Sequence, residues 1–231
     1  MGVQPKPKRP GSNSVMVAVC PSSRVGVAVA SYSLRHSQMW SWDVKTLEII
    51  GTQKVKARIE LLDISPNGRY CGYYAEAESK GQFYVAICRP PYFQALWIRN
   101  VVNFSWRGFV FLGRKLVLFG YSKANENSYG KRIAERMTPG CPLRLVKVEM
   151  LHDTQEYSEV TRARCSKAWM SELNAYQDGP PQSVRNWVGL DACGRKITIR
   201  GWGVYADGEL ILDCTETAFE PIAPPDWAGE W

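Results

Sequence analysis

Lys54, Lys56 and Arg58 alternate along "TQKVKARIE", a spacing that projects three cations to one side of an extended chain. A second basic group lies in "SKANENSYGKRIAERMTPGCP", residues 122–142, where Lys123, Lys131, Arg132 and Arg136 surround Tyr129. Arg99 and Trp106 fall between the two groups. Cations interleaved with aromatic rings suit a phosphate backbone with stacked bases, or an acidic protein surface. A third group is apolar: Trp169, Leu173 and Tyr176 recur at i, i+4 and i+7 in "SKAWMSELNAYQ" and form one stripe if residues 166–177 are helical. Such a stripe packs on the outside of the fold or, if uncovered, anchors another subunit.

Catalytic chemistry has less to build on. The only histidines are His36 and His152, and neither sits in a recognisable nucleophile and base pattern. The chain has no GxSxG elbow, GxxxxGK[ST] loop, GxGxxG or HExxH. Asp207 and Glu209 flank Gly208 in a tight turn, a place that selects such residues for backbone reasons. The seven cysteines are scattered singly without a CxxC pair, which argues against a zinc ribbon and predicts reduced, mostly buried thiols. Reduced thiols favour the cytoplasm. No catalytic residue, metal or cofactor is expected.

Length and charge narrow the class further. The 231 residues are 45% hydrophobic and 22% charged, ordinary values for a soluble domain able to bury a sizeable core. No run approaches the roughly 18 apolar residues of a spanning helix, and "SVMVAVC" is too short for a signal-peptide core. The expectation is therefore a chain with no membrane segment or export signal. The net charge of +7 is unevenly spread. Residues 99–148 hold ten Lys or Arg against only Glu126 and Glu135, while residues 201–231 carry seven acids and no base. Residues 1–13, rich in Pro, Gly and cations, read as a disordered basic arm.

The elements that must position these groups read as strands. "SVMVAVC", "VGVAVASY", "QMWSWDV" and "LEIIGT" are joined by short turns, and the pattern returns in "IELLDI", "YCGYYAEA", "QFYVAIC" and "ALWIRN". A third set begins at "GFVFL" and a fourth at "WVGLDA", the fourth ending in a short "AFEPIA" strand. The cation closing the first turn of each set is Arg24, Arg69, Arg114 and Arg195, at intervals of 45, 45 and 81 residues. Two equal steps near the length of a four-stranded propeller blade point to a repeat. The units are 14–52, 59–99, 100–160 and 184–222, with a loop at 122–142 and a helix at 166–177 inserted between the last two turns.

"ISPNGRYCGYY" resembles the turn of Tol-system propeller repeats, and "QMWSWDVKTLE" resembles the strand end of WD repeats, with Trp42-Asp43 in the place of the WD dipeptide. "CRPPYFQALW" and the stretch from "DACGRKITIRGWGVY" to "PPDW" are similar to small, uncharacterised bacterial propeller-like proteins. The Gly-His pair of WD repeats is absent from every unit. The resemblance implies a fold and carries no chemistry.

The expectation is an all-β protein of residues 14–231: a small β-propeller of four blades, with five as the alternative, built of antiparallel four-stranded sheets with one inserted helix. Its function is read first as a non-catalytic scaffold that holds a partner protein, as a subunit of a complex, through the basic and aromatic residues above. A nucleic-acid-binding accessory protein is the alternative, and a hydrolase or lyase in the propeller mouth ranks third. "PPDWAGEW" is expected to pack back onto the last blade.

Overall fold

The computed structural model describes residues 14–20, 22–33, 35–77, 82–100, 109–112, 115–121, 135–149, 188–218, 220 and 222–231. Among them the fold is all-β. The first sheet is the antiparallel meander β1 (Ser14–Ala18), β2 (Val25–Ser31), β3 (Ser37–Asp43) and β4 (Ile49–Val55). The second repeats it with β5 (Arg58–Ile64), β6 (Cys71–Ala77), β7 (Gln82–Cys88) and β8 (Trp97–Asn100). A third sheet starts with the hairpin β9 (Phe109–Leu112) and β10 (Lys115–Tyr121). The strand β11 (Glu135–Met137) adds to the second sheet beside β8, and β12 (Arg144–Glu149) returns to the third. The last sheet is the meander β13 (Val188–Leu190), β14 (Lys196–Arg200), β15 (Gly203–Ala206) and β16 (Glu209–Asp213).

Strand alternation decides which sheet faces which. In β2, "VGVAVAS", nearly every residue is buried because both faces of the sheet are covered. Ala28 and Ala30 join Trp40 and Trp42 in a core shared with Ile197, Ile199, Val204 and Leu212 of the last sheet. Val27, Val29 and Met39 point the other way, into a core with Ile59, Tyr73, Ala75 and Ala86 of the second sheet. The far side of the second sheet packs Val85, Ile87 and Trp97 against Phe111 of the third. The sheets therefore stack in the order last, first, second, third. Their leading strands lie side by side, β1 against β5 and β5 against β9.

The free edges of those leading strands are satisfied by the neighbouring sheet. Ser31 Oγ donates to the Ile59 carbonyl (2.6 Å), and Ser37 Oγ donates to the Ala57 carbonyl (2.8 Å) while accepting from the Ile59 N–H (3.0 Å). One sheet further on, the Asp63 carboxylate accepts from the Phe111 N–H (2.8 Å) on β9. An edge strand with unpaired polar groups is costly to bury, and these side chains remove that cost.

Several expectations are corrected. The third sheet is not an antiparallel four-stranded unit: among the described residues it has three strands, and β12 runs parallel to β10. Residues 135–137, inside the stretch read as a loop, form β11 and widen the second sheet to five strands, because Arg136 pairs with Ile98 on the edge of β8. The "AFEPIA" segment contributes no strand among its described residues. The arm at 1–13 and the helix at 166–177 lie outside the described residues. The C-terminal residues do not rest on the last sheet but cross to the second, where arginines are available to meet their carbonyl oxygens.

Candidate interaction site

The "SPNG" turn shows how the local sequence builds one rim. Ser65 Oγ accepts from the Tyr70 N–H (2.9 Å) and Asn67 Oδ1 from the Arg69 N–H (3.0 Å). Gly68 has φ of 69° and lies so close to the first sheet's turn that a Cβ would come within 2.3 Å of Ser23 Oγ. The result presents Arg69 to solvent beside the buried Tyr70. The recurring turn cations have separate tasks: Arg24 pairs with Asp43 (3.2 Å), Arg195 with Asp191 (2.9 Å), and Arg69 donates to the main-chain oxygen of Trp231 (2.6 Å). Arg114 lies outside the described residues.

Lys54, Lys56 and Arg58 are not a single cationic face. The chain bends at Lys56 and Ala57 as it leaves the first sheet for the second, which separates the three side chains. Lys54 Nζ donates to Thr217 Oγ1 and to the carbonyls of Thr217 (3.0 Å) and Ala218. Lys56 is exposed. Arg58 pairs within the second sheet, with Glu60 (2.9 Å) and Glu76 (3.5 Å), and Tyr74 donates to Glu76 (3.3 Å). Burial raises the Glu60 carboxyl above its usual range, opposed by the Arg58 charge. Arg99 lies buried on the same face of the sheet, since its strand partner Val85 also pairs with Tyr74. Arg136 occupies the middle of β11. Trp106, Lys123, Tyr129, Lys131, Arg132, Trp169, Leu173 and Tyr176 lie outside the described residues.

The structure brings together a different set. After β16 the chain crosses from the last sheet toward the first, with the Cys214 N–H still held by the Trp202 carbonyl (2.7 Å). It then passes β4, where the buried Gln53 accepts from the Phe93 N–H (2.6 Å) and donates to the Ile222 carbonyl (2.8 Å). At the second sheet, Arg89 donates to the Trp227 carbonyl (2.8 Å) and its guanidinium lies 5.8 Å from the centre of the Trp227 ring. Tyr92 meets the same ring edge-on at 5.3 Å. Residues 226–229 form a 3-10 helix, after which Trp231 packs edge-on against Tyr70 at 5.5 Å. The Trp231 indole N–H donates to the Thr138 carbonyl (2.6 Å), and Trp231 and Leu143 both pack against the core that contains Tyr70 and Trp97.

This groove was only partly visible in the sequence. Arg69 stood out as a repeat position and "PPDWAGEW" as an aromatic and acidic segment, but nothing in their spacing joined residues about 160 positions apart. Gln53, Arg89 and Tyr92 gave no signal of their own. The described cysteines are all free, and Cys71, Cys88 and Cys214 are buried. Burial pushes the Cys214 thiol up to about 12. Among the described residues no helix is long and apolar enough to cross a membrane. Comparison of the chain with protein-family models, curated proteins and solved structures finds no match in any of the three.

Proposed function

We propose that the chain is a non-catalytic scaffold that holds a partner protein on the rims of a small β-propeller. The observation that carries this reading is the course of residues 214–231. They cross from the last sheet to the second largely without strand pairing, held by side chains of β4 and of the turns. A surface that grips a segment of its own chain has the donors and aromatic seats that recognition of another chain requires.

The stacking order supports the propeller arrangement. A ring needs its last sheet against its first, and the core containing Trp42 and Ile197 joins those two. It also needs leading strands side by side, and β1 lies against β5 and β5 against β9. Four blades then require one further seam, between the third and last sheets. The free cysteines fit a reducing compartment such as the cytoplasm. Within this reading the basic insertion at 122–142 and the stripe of Trp169, Leu173 and Tyr176 remain candidate partner contacts.

The nucleic-acid reading is second, favoured by Arg200, which is exposed and lies 5.5 Å from the Tyr205 ring, on the same face of its strand as the exposed Lys196. One experiment separates the two. The tagged chain is purified from its own host with and without nuclease, and the co-purifying material is read by mass spectrometry and absorbance ratio. A stoichiometric protein partner that survives nuclease supports the scaffold. Nuclease-sensitive material supports the second reading, and recovery of neither contradicts both.

A further inference from the structure

We propose that the groove formed by Gln53, Arg69, Tyr70, Arg89, Tyr92 and Thr138 is a docking site for an acidic, tryptophan-bearing peptide segment supplied in trans, which residues 222–231 occupy in cis. The proposal rests on the scaffold reading and names the chemistry of its ligand.

The groove divides its work as a peptide-recognition surface does. Gln53, Arg89 and Arg69 all donate to main-chain oxygens, of Ile222, Trp227 and Trp231. Contacts of that kind hold a backbone whatever its sequence. Selectivity falls to two seats. Trp227 sits between the Arg89 guanidinium and Tyr92. Trp231 sits on Tyr70 with its indole N–H on the Thr138 carbonyl, a bond that neither Phe nor Leu can make.

The cis occupant leaves part of this capacity unused. The Tyr70 hydroxyl and Arg89 Nε are buried and find no hydrogen-bond partner among the described residues. Neither Asp226 nor Glu230 is ion-paired among the described residues, although both lie within a few positions of the carbonyls that Arg69 and Arg89 bind. A ligand carboxylate that reaches Arg89 replaces the neutral Trp227 carbonyl with a charged acceptor, and charge-assisted bonds are the stronger kind. That sets the preference for acidic segments.

The cis segment is also lightly held. Of residues 222–231 only Ala228 is buried, and Trp227 is 46% exposed. Its attachment gains from the covalent tether, which supplies a high effective concentration at no cost in contacts. A free peptide of the same sequence therefore competes poorly until the cis anchor is weakened.

The test uses the full chain and a fluorescent peptide of sequence IAPPDWAGEW, read by anisotropy. Trp231→Ala is expected to bind the probe at least about tenfold more tightly than the unaltered chain, because it removes the tethered competitor's main anchor. Adding Arg69→Glu is expected to abolish that gain, and a probe with both tryptophans changed to alanine is expected to bind neither protein. Trp227→Ala in the full chain serves as a second vacated form if Trp231→Ala melts early. If neither variant binds the probe better than the unaltered chain, or the alanine probe binds equally well, the proposal is overturned. That result would leave the nuclease-resistant partner of the scaffold reading to be judged on its own recovery.

Discussion

At the scale of single residues, Asp63 has the most consequential environment. It is half-buried by area, but its carboxylate is enclosed, and desolvation raises its pKa to about 7 against the opposing help of the Phe111 and Ile64 N–H groups. The folded state therefore holds a proton that the unfolded state, with the ordinary value near 3.8, releases earlier. Stability from this group is complete below the unfolded value and is lost as pH rises toward 7, by up to about 1.4 kcal/mol per pH unit in the middle of that window. Glu60, also raised by burial, acts in the same direction. Urea titrations between pH 4 and 8 are expected to show a downward slope that Asp63→Asn reduces. An unchanged slope in the variant would remove Asp63 from the account. No feature of "LLDISPNG" marks this aspartate in the sequence, because its burial comes from a strand about fifty positions away. Trp42 and Asp43 were more legible: Trp42 fills the core between the first and last sheets, and Asp43 Oδ1 accepts from the Lys45 and Thr46 N–H groups in the following turn.

At the scale of elements, the strands of the first and second sheets follow the alternation and turn residues closely. In the last sheet the run "ITIRGWGVY", which reads as one strand, is broken into β14 and β15 by a turn at Gly201 and Trp202. The third sheet departs further, for a physical reason. An antiparallel hairpin is specified by its own short turn, whereas the pairing of β12 beside β10 and of β11 beside β8 depends on long connections that leave no local pattern. Two substitutions test how the elements are joined. Ser37→Ala removes an acceptor for the Ile59 N–H and a donor to the Ala57 carbonyl at the buried seam between sheets, and is expected to cost about 1–3 kcal/mol in chemical denaturation. Gly26 pairs with Trp42 across β2 and β3, and a Cβ there would meet the Trp42 ring at 2.2 Å. Gly26→Ala is therefore expected to destabilise by about 1–3 kcal/mol or more through overpacking, with a perturbed near-ultraviolet tryptophan signal. Ordinary stability in either variant would show that these seams tolerate change.

At the scale of the whole molecule, repetition was readable in the sequence and the packing of the last sheet on the first was not. Two equal intervals of 45 residues announced repeated sheets, and the stacking of the last sheet on the first gives the repetition a spatial meaning. The path of the C-terminal segment belongs to the same scale, since it ties the last, first and second sheets through side chains that are remote in sequence. On the scaffold proposal, the rim gripped by this segment is where a partner sits. Fluorine NMR of the chain labelled with 5-fluorotryptophan, with Trp227 and Trp231 assigned by Phe substitution, tests it directly when recorded alone and with the co-purified partner. Both signals are expected to leave their docked positions for those of solvent-exposed indoles on complex formation. A complex that forms while both signals stay in place would contradict that proposal.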